Sequence, residues 1–86
     1  MPKISEFFGI QIYMYYDDHG PPHFHAQYGE YEAVIRIGDL SVAGGRLPPR
    51  ALGLVMEWAA LRGPELDEAW KRAAAMEPLQ RIEPLR

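Results

Sequence analysis

The chain has no cysteine among its 86 residues, which excludes a disulfide framework and any thiolate metal site and is compatible with a reducing compartment. It also lacks a long apolar run. Nothing approaches the roughly 20 consecutive apolar residues of a bilayer-spanning helix, and Met1-Pro2-Lys3-Ile4-Ser5 is not the start of a secretory leader. The expectation is a cytoplasmic protein with no membrane partner. Excess positive charge is missing too: nine Lys and Arg stand against twelve Asp and Glu, a formal net charge of -3. A globally basic nucleic-acid binder is thereby excluded, while a local basic patch remains compatible with the total. Histidine is scarce, and all three copies fall in one short segment, His19 to His25.

What is present describes a folded domain. Hydrophobic residues make up 48% of the chain and charged residues 24%, a balance that supports a core and argues against disorder. Eighty-six residues suffice for one domain whose stability margin is a few kcal/mol. Association with a partner or a second copy, as a homo-oligomer, would add to that margin.

The first half alternates and the second half runs at helical period, with the change at Gly44-Gly45 to Pro48-Pro49. The expected division of this single domain is 1–47 mainly β, 48–77 two helices and 78–86 an extended tail. From Ile10 to Tyr16, Ile10, Ile12, Met14 and Tyr16 share one strand face and Gln11, Tyr13 and Tyr15 the other. A loop from Asp17 to Pro22 follows.

Gly29-Glu30 between two tyrosines suits a two-residue type II′ hairpin, which needs positive φ at its first central residue. That turn fixes a register: Tyr28 faces Tyr31, Gln27 faces Glu32, His25 faces Val34 and His23 faces Arg36. Phe24, Ala26, Tyr28, Tyr31, Ala33 and Ile35 then form an apolar face opposite His23, His25, Gln27, Glu32, Val34 and Arg36. A second glycine-led turn at Gly38-Asp39 pairs Ile35 with Val42 and Arg36 with Ser41.

Pro48-Pro49 can open a helix, where a missing N–H is harmless. Leu52, Val55, Met56 and Ala59 mark its buried stripe, broadened by Leu54, Trp58 and Leu61. Gly63 ends this helix and Pro64 starts the next, whose stripe is Leu66, Ala69, Trp70 and Ala73. The repeated Glu-Pro-Leu at 77–79 and 83–85 disfavours helix, so Leu79, Ile82 and Leu85 are expected to lie extended against the body. The fold class is α+β: an antiparallel β-meander of three to four strands, two α-helices packed on one face and an extended C-terminal tail. The polar sheet face is left as a working surface.

The histidines admit three readings. His-x-His on a strand puts His23 and His25 on one face, and His19 from the loop could complete an open three-histidine site for zinc or a similar divalent metal, with Glu32 close by. Arg36 opposite His23 disfavours a cation there. The second reading uses Arg36: histidine as general acid or base with arginine holding a phosphate is the equipment of a metal-independent ribonuclease without a cofactor. His19, His23, His25 and Arg36 are then the catalytic candidates. Tyr13 and Tyr15 would stack on bases, and Gln27 and Glu32 extend the binding face. In the third reading the segment is a rigid loop whose imidazoles hydrogen-bond carbonyls or stack on tyrosines, and the domain binds a protein partner without chemistry of its own. A cupin-type site is excluded, because Gly20 is too close to His23 and the chain too short for a barrel.

Met1-Pro2-Lys3-Ile4-Ser5, Phe8-Gly9-Ile10, Asp18-His19-Gly20-Pro21-Pro22-His23-Phe24-His25 and Tyr28-Gly29 resemble short bacterial proteins of the family known as domain of unknown function 4160. Leu47-Pro48, Glu57-Trp58-Ala59, Glu77-Pro78-Leu79 and Ile82-Glu83-Pro84-Leu85 carry the resemblance to the end of the chain. It implies membership of a two-gene unit similar to toxin–antitoxin pairs. The implied partner is a small protein encoded by a neighbouring gene, and RNA is a candidate target.

Overall fold

The computed structural model describes residues 2–16 and 19–86. The beginning of the loop expected from Asp17 to Pro22 lies outside the described residues. Five strands precede two helices: β1 (Lys3–Phe7), β2 (Ile10–Tyr13), β3 (His23–Tyr28), β4 (Tyr31–Arg36), β5 (Val42–Arg46), α1 (Pro49–Leu61) and α2 (Gly63–Ala74). The strands form one antiparallel meander in the order β1-β2-β3-β4-β5. This is the expected α+β architecture with five strands instead of three to four.

The register of the central hairpin is the one that the turn dictates. Tyr28 pairs with Tyr31, His25 with Val34 and His23 with Arg36. Gly29 has φ +59 while Glu30 is absent from the residues of positive φ, the sign pattern of a type II′ turn. Phe24, Ala26, Ala33 and Ile35 are fully buried on the face towards the helices. Trp58 of α1 meets Phe24 and Phe7 there, at ring-centroid separations of 5.8 and 5.4 Å.

The second hairpin reaches the expected pairing by another route. Ile35 pairs with Val42 and the Arg36 N–H donates to the Ser41 carbonyl at 2.9 Å, but the positive φ falls on Leu40 at 55° and not on Gly38. The register also shifts between Val34 and Ile35, because Ala43 is an extra residue in β5. Gly45, paired with Ala33 beyond the bulge, is a position that only glycine fills. It has φ +68, and a Cβ there would lie 2.1 Å from the Glu32 carbonyl oxygen.

β1 follows no alternating pattern because a bulge between Lys3 and Ser5 leaves both Ile4 and Ser5 buried. β2 ends at Tyr13; Met14 stays buried while Tyr16 is exposed, so the expected strand to Tyr16 is too long. Ala51, Val55, Trp58 and Ala59 form the buried stripe of α1, and Leu61, expected to widen it, is 62% exposed. Arg62 alone separates the helices, and α2 starts on Gly63, one residue before the expected Pro64.

The tail lies extended along the free edge of β1. Ile82 is buried, its N–H donates to the Ile4 carbonyl at 2.7 Å, and its carbonyl accepts from the Ser5 hydroxyl at 3.0 Å. Trp58 Nε1 donates to the Glu83 carbonyl at 2.8 Å. The tail thus covers an open strand edge and satisfies the polar atoms of Ser5 and Trp58, which would be costly to bury unpaired.

Two predictions follow from this packing. Gly45→Ala combines a backbone clash with left-handed φ and should cost at least about 2 kcal/mol, whereas Gly44→Ala, with nothing within 4 Å of the added carbon, should change stability by less than about 0.5 kcal/mol. Ile82→Ala should cost about 2–4 kcal/mol by opening the core under the tail. Urea unfolding of the variants measures both.

Candidate binding site at the histidine end of the sheet

The end of the sheet where β3 begins and β4 finishes is stiffened by Pro21-Pro22. The Ile37 N–H donates to the Pro22 carbonyl at 2.9 Å, extending the β3–β4 ladder one pair beyond the strands. Strand period then places His23 and His25 on the same face. Around them four rings form a row: Tyr15 against His25 at 4.5 Å, His25 against His23 at 5.3 Å, and His23 against Trp70 at 5.1 Å. Near-perpendicular contact of Tyr15 with His25, at 85°, is a favourable edge-to-face geometry.

The two imidazoles are held differently. His25 Nδ1 is 3.3 Å from Glu32 Oε2, with the His25 side chain 17% exposed, and its Nε2 atom lies below the surface. His23 Nδ1 is 2.9 Å from the Pro21 carbonyl. A carbonyl oxygen and a carboxylate only accept, so Nδ1 is the donor in each of these contacts. Both rings are half-buried, and Trp70 backs His23.

His19 is exposed. Among the described residues no three His, Cys, Asp or Glu side chains are grouped as a metal site, so the expected trio of His19, His23 and His25 is not brought together there. Arg36 turns towards the second hairpin: its Nη1 donates to the Ser41 hydroxyl at 3.3 Å. That hydroxyl donates in turn to Asp39 at 2.7 Å. The Ser41 hydroxyl, the Ser41 N–H at 3.1 Å and the positive charge of Arg36 hold the Asp39 carboxyl below its usual range. Arg36 also lines a shallow depression of about 380 Å³ with Pro21, Pro22, Gly38, Asp39 and Asp67, where both ionisable neighbours are acids.

The other cations near this face are engaged as well. Lys3 contacts Glu6 at 2.9 Å and, through that hydrogen bond and its charge, lowers the Glu6 carboxyl. Arg46, the register partner of Glu32, sits over the Tyr31 ring at 5.5 Å. The Tyr13 hydroxyl donates to Gln11 Oε1, and Tyr13 is the register neighbour of His25 on β2. Gln27, exposed, lies between Gln11 and Glu32 in one cross-strand row. Among the described residues the face is therefore polar, with Arg36, Lys3 and Arg46 each turned to a neighbouring side chain.

Trp70 belongs to this site, although helical spacing assigns it to the core. Leu66, Ala69 and Ala73 form the buried stripe of α2, while Trp70 lies beside it, only partly buried. Periodicity could not show that the ring reaches His23.

The Asp39 hydrogen bonds generate a pH prediction. A carboxyl whose folded value is depressed contributes stability above its unfolded value and loses it as pH falls through the folded one. The stability difference between the wild type and Asp39→Ala should be present at neutral pH and shrink as pH falls below the usual carboxylate range, as read from urea midpoints across that range.

No curated protein and no solved structure matches this chain. Residues 9–71 match one family model, a span containing the histidine segment, β2 to β5, α1 and the Trp70 that backs His23. The chain belongs to the family described as domain of unknown function (DUF4160).

Proposed function

We propose that the chain is a protein-binding module, one component of a two-gene unit of toxin–antitoxin type, which docks its partner through the ring row of Tyr15, His25, His23 and Trp70. The observation that carries this reading is the enclosure of His25. Held by Glu32 at 3.3 Å, flanked by Tyr15 and with Nε2 below the surface, it is built as a rigid support and not as a group that exchanges protons with a substrate. Rigid aromatic and imidazole surfaces with a polar rim are efficient recognition elements, because little side-chain freedom is lost on binding. The partner of this reading is the small protein that the family resemblance places beside such chains.

RNA cleavage would require His23 to act with an Arg36 released from Ser41, and zinc binding would require His19 to join a His25 whose Nε2 had become accessible. Both need rearrangements that docking does not.

Co-expression with the product of the adjacent gene tests the proposal. A stable complex is expected on size-exclusion chromatography, and replacing His23 and Trp70 together by Ala should weaken it at least about tenfold, as expected for central interface residues. An unaltered affinity would remove this face from the interface. Growth arrest with RNA cleavage that depends on His23, on expression of the chain alone, would replace the binding module by a nuclease.

A further inference from the structure

The opposite end of β3 carries a feature that the proposed docking face does not use. Between the β1–β2 turn, the end of β3 and the start of α1 lies a groove of about 410 Å³, lined by Phe8, Ile10, Tyr28, Arg50, Ala51 and Leu54 among others. Its floor is the buried Ile10, while Phe8 is 60% and Tyr28 38% exposed. Its walls are held by backbone geometry. Phe8 and Gly9 both have positive φ, at 51° and 80°, the signature of a type I′ turn. At Gly9 an added Cβ would only touch the Tyr28 ring, at 3.4 Å, so it is the left-handed φ of +80 that calls for glycine there.

Phe8 is the anomaly. The left-handed region costs a non-glycine residue about 1 kcal/mol, and Asn or Gly is the residue such a turn favours. Burial does not offset that cost, since the ring is mostly in water and makes one edge contact with Phe7 at 6.5 Å. Folding alone does not account for a phenylalanine here; an exposed aromatic at the rim of a groove with a buried apolar floor is the form of a binding anchor.

Charge fixes the kind of occupant. Arg50 is the charged residue lining the groove, is exposed and, among the described residues, has no carboxylate within ion-pair distance. It stands in the first turn of α1, which has no acidic residue and no side-chain cap, so the helix dipole adds to the same positive potential. We infer that this groove binds an acidic-apolar peptide segment of a partner protein, with a large apolar side chain seated between Phe8, Tyr28 and Leu54 and an adjacent carboxylate on Arg50. The site is independent of the histidine face and stands or falls separately from it.

The probe is the hexapeptide acetyl-Asp-Asp-Leu-Phe-Asp-Asp-amide, titrated into the isotopically labelled full chain and followed by amide chemical shifts. A control peptide carries Lys at the four Asp positions. Saturable shifts are expected at Phe8, Gly9, Tyr28 and Ala51, with affinity at least about tenfold weaker for the lysine peptide and for Arg50→Glu. Phe8→Asn should keep or raise the melting temperature, because asparagine tolerates left-handed φ, and yet lose the shifts. Absence of saturable shifts, equal binding of both peptides, or shifts confined to the histidine end would overturn the inference. So would a peptide-independent dimer abolished by Phe8→Asn, which would assign the groove to a second copy of the chain.

Discussion

The antiparallel pairing of β3 with β4 about Gly29-Glu30 decides what each side of the molecule can be. With Tyr28 opposite Tyr31, Phe24, Ala26, Ala33 and Ile35 point to the helices and are fully buried, while His23, His25 and Glu32 share the other face of the hairpin. A slip of one residue would invert every side chain of the slipped strand. It would set imidazoles or a carboxylate against Trp58 and Val55, at a desolvation cost of several kcal/mol in a domain whose whole margin is a few kcal/mol. The apolar core and the histidine face are two consequences of one turn.

The histidine face is shaped further by what reaches it from outside the hairpin. Tyr15 comes from the chain leaving β2 and Trp70 from α2, and each sets a ring against one imidazole. Glu32 and the Pro21 carbonyl anchor the two rings through Nδ1. These contacts hold both half-buried imidazoles, turning what looks like a reactive cluster into a stiff surface. The sheet carries a second surface at its other end, where Phe8, Tyr28 and Arg50 surround an apolar floor.

Both hairpin registers were legible in the sequence, because turn chemistry and alternation agree at Gly29-Glu30 and, in outcome, at Ile35 and Val42. The glycine assigned to the second turn was wrong: a longer loop places the strained φ on Leu40. Strand β1 was hidden by its bulge, which buries adjacent Ile4 and Ser5 and so erases the period of two. Of the candidate site, the shared face of His23 and His25 and the position of Glu32 followed from register. The turning of Arg36 to Ser41 and the reach of Trp70 did not, since side-chain direction at the end of a strand or the margin of a helix depends on neighbours distant in sequence.

The register itself can be measured directly. In an antiparallel ladder the non-hydrogen-bonded pairs bring their α-protons close together, and the Pro22–Ile37 backbone bond sets the phase of that alternation. A nuclear Overhauser spectrum in heavy water should show Hα–Hα contacts for Gln27 with Glu32, His25 with Val34 and His23 with Arg36. Contacts of His25 with Ala33 or Ile35 instead would mean a slipped hairpin, and with it the loss of both the core and the histidine face described above.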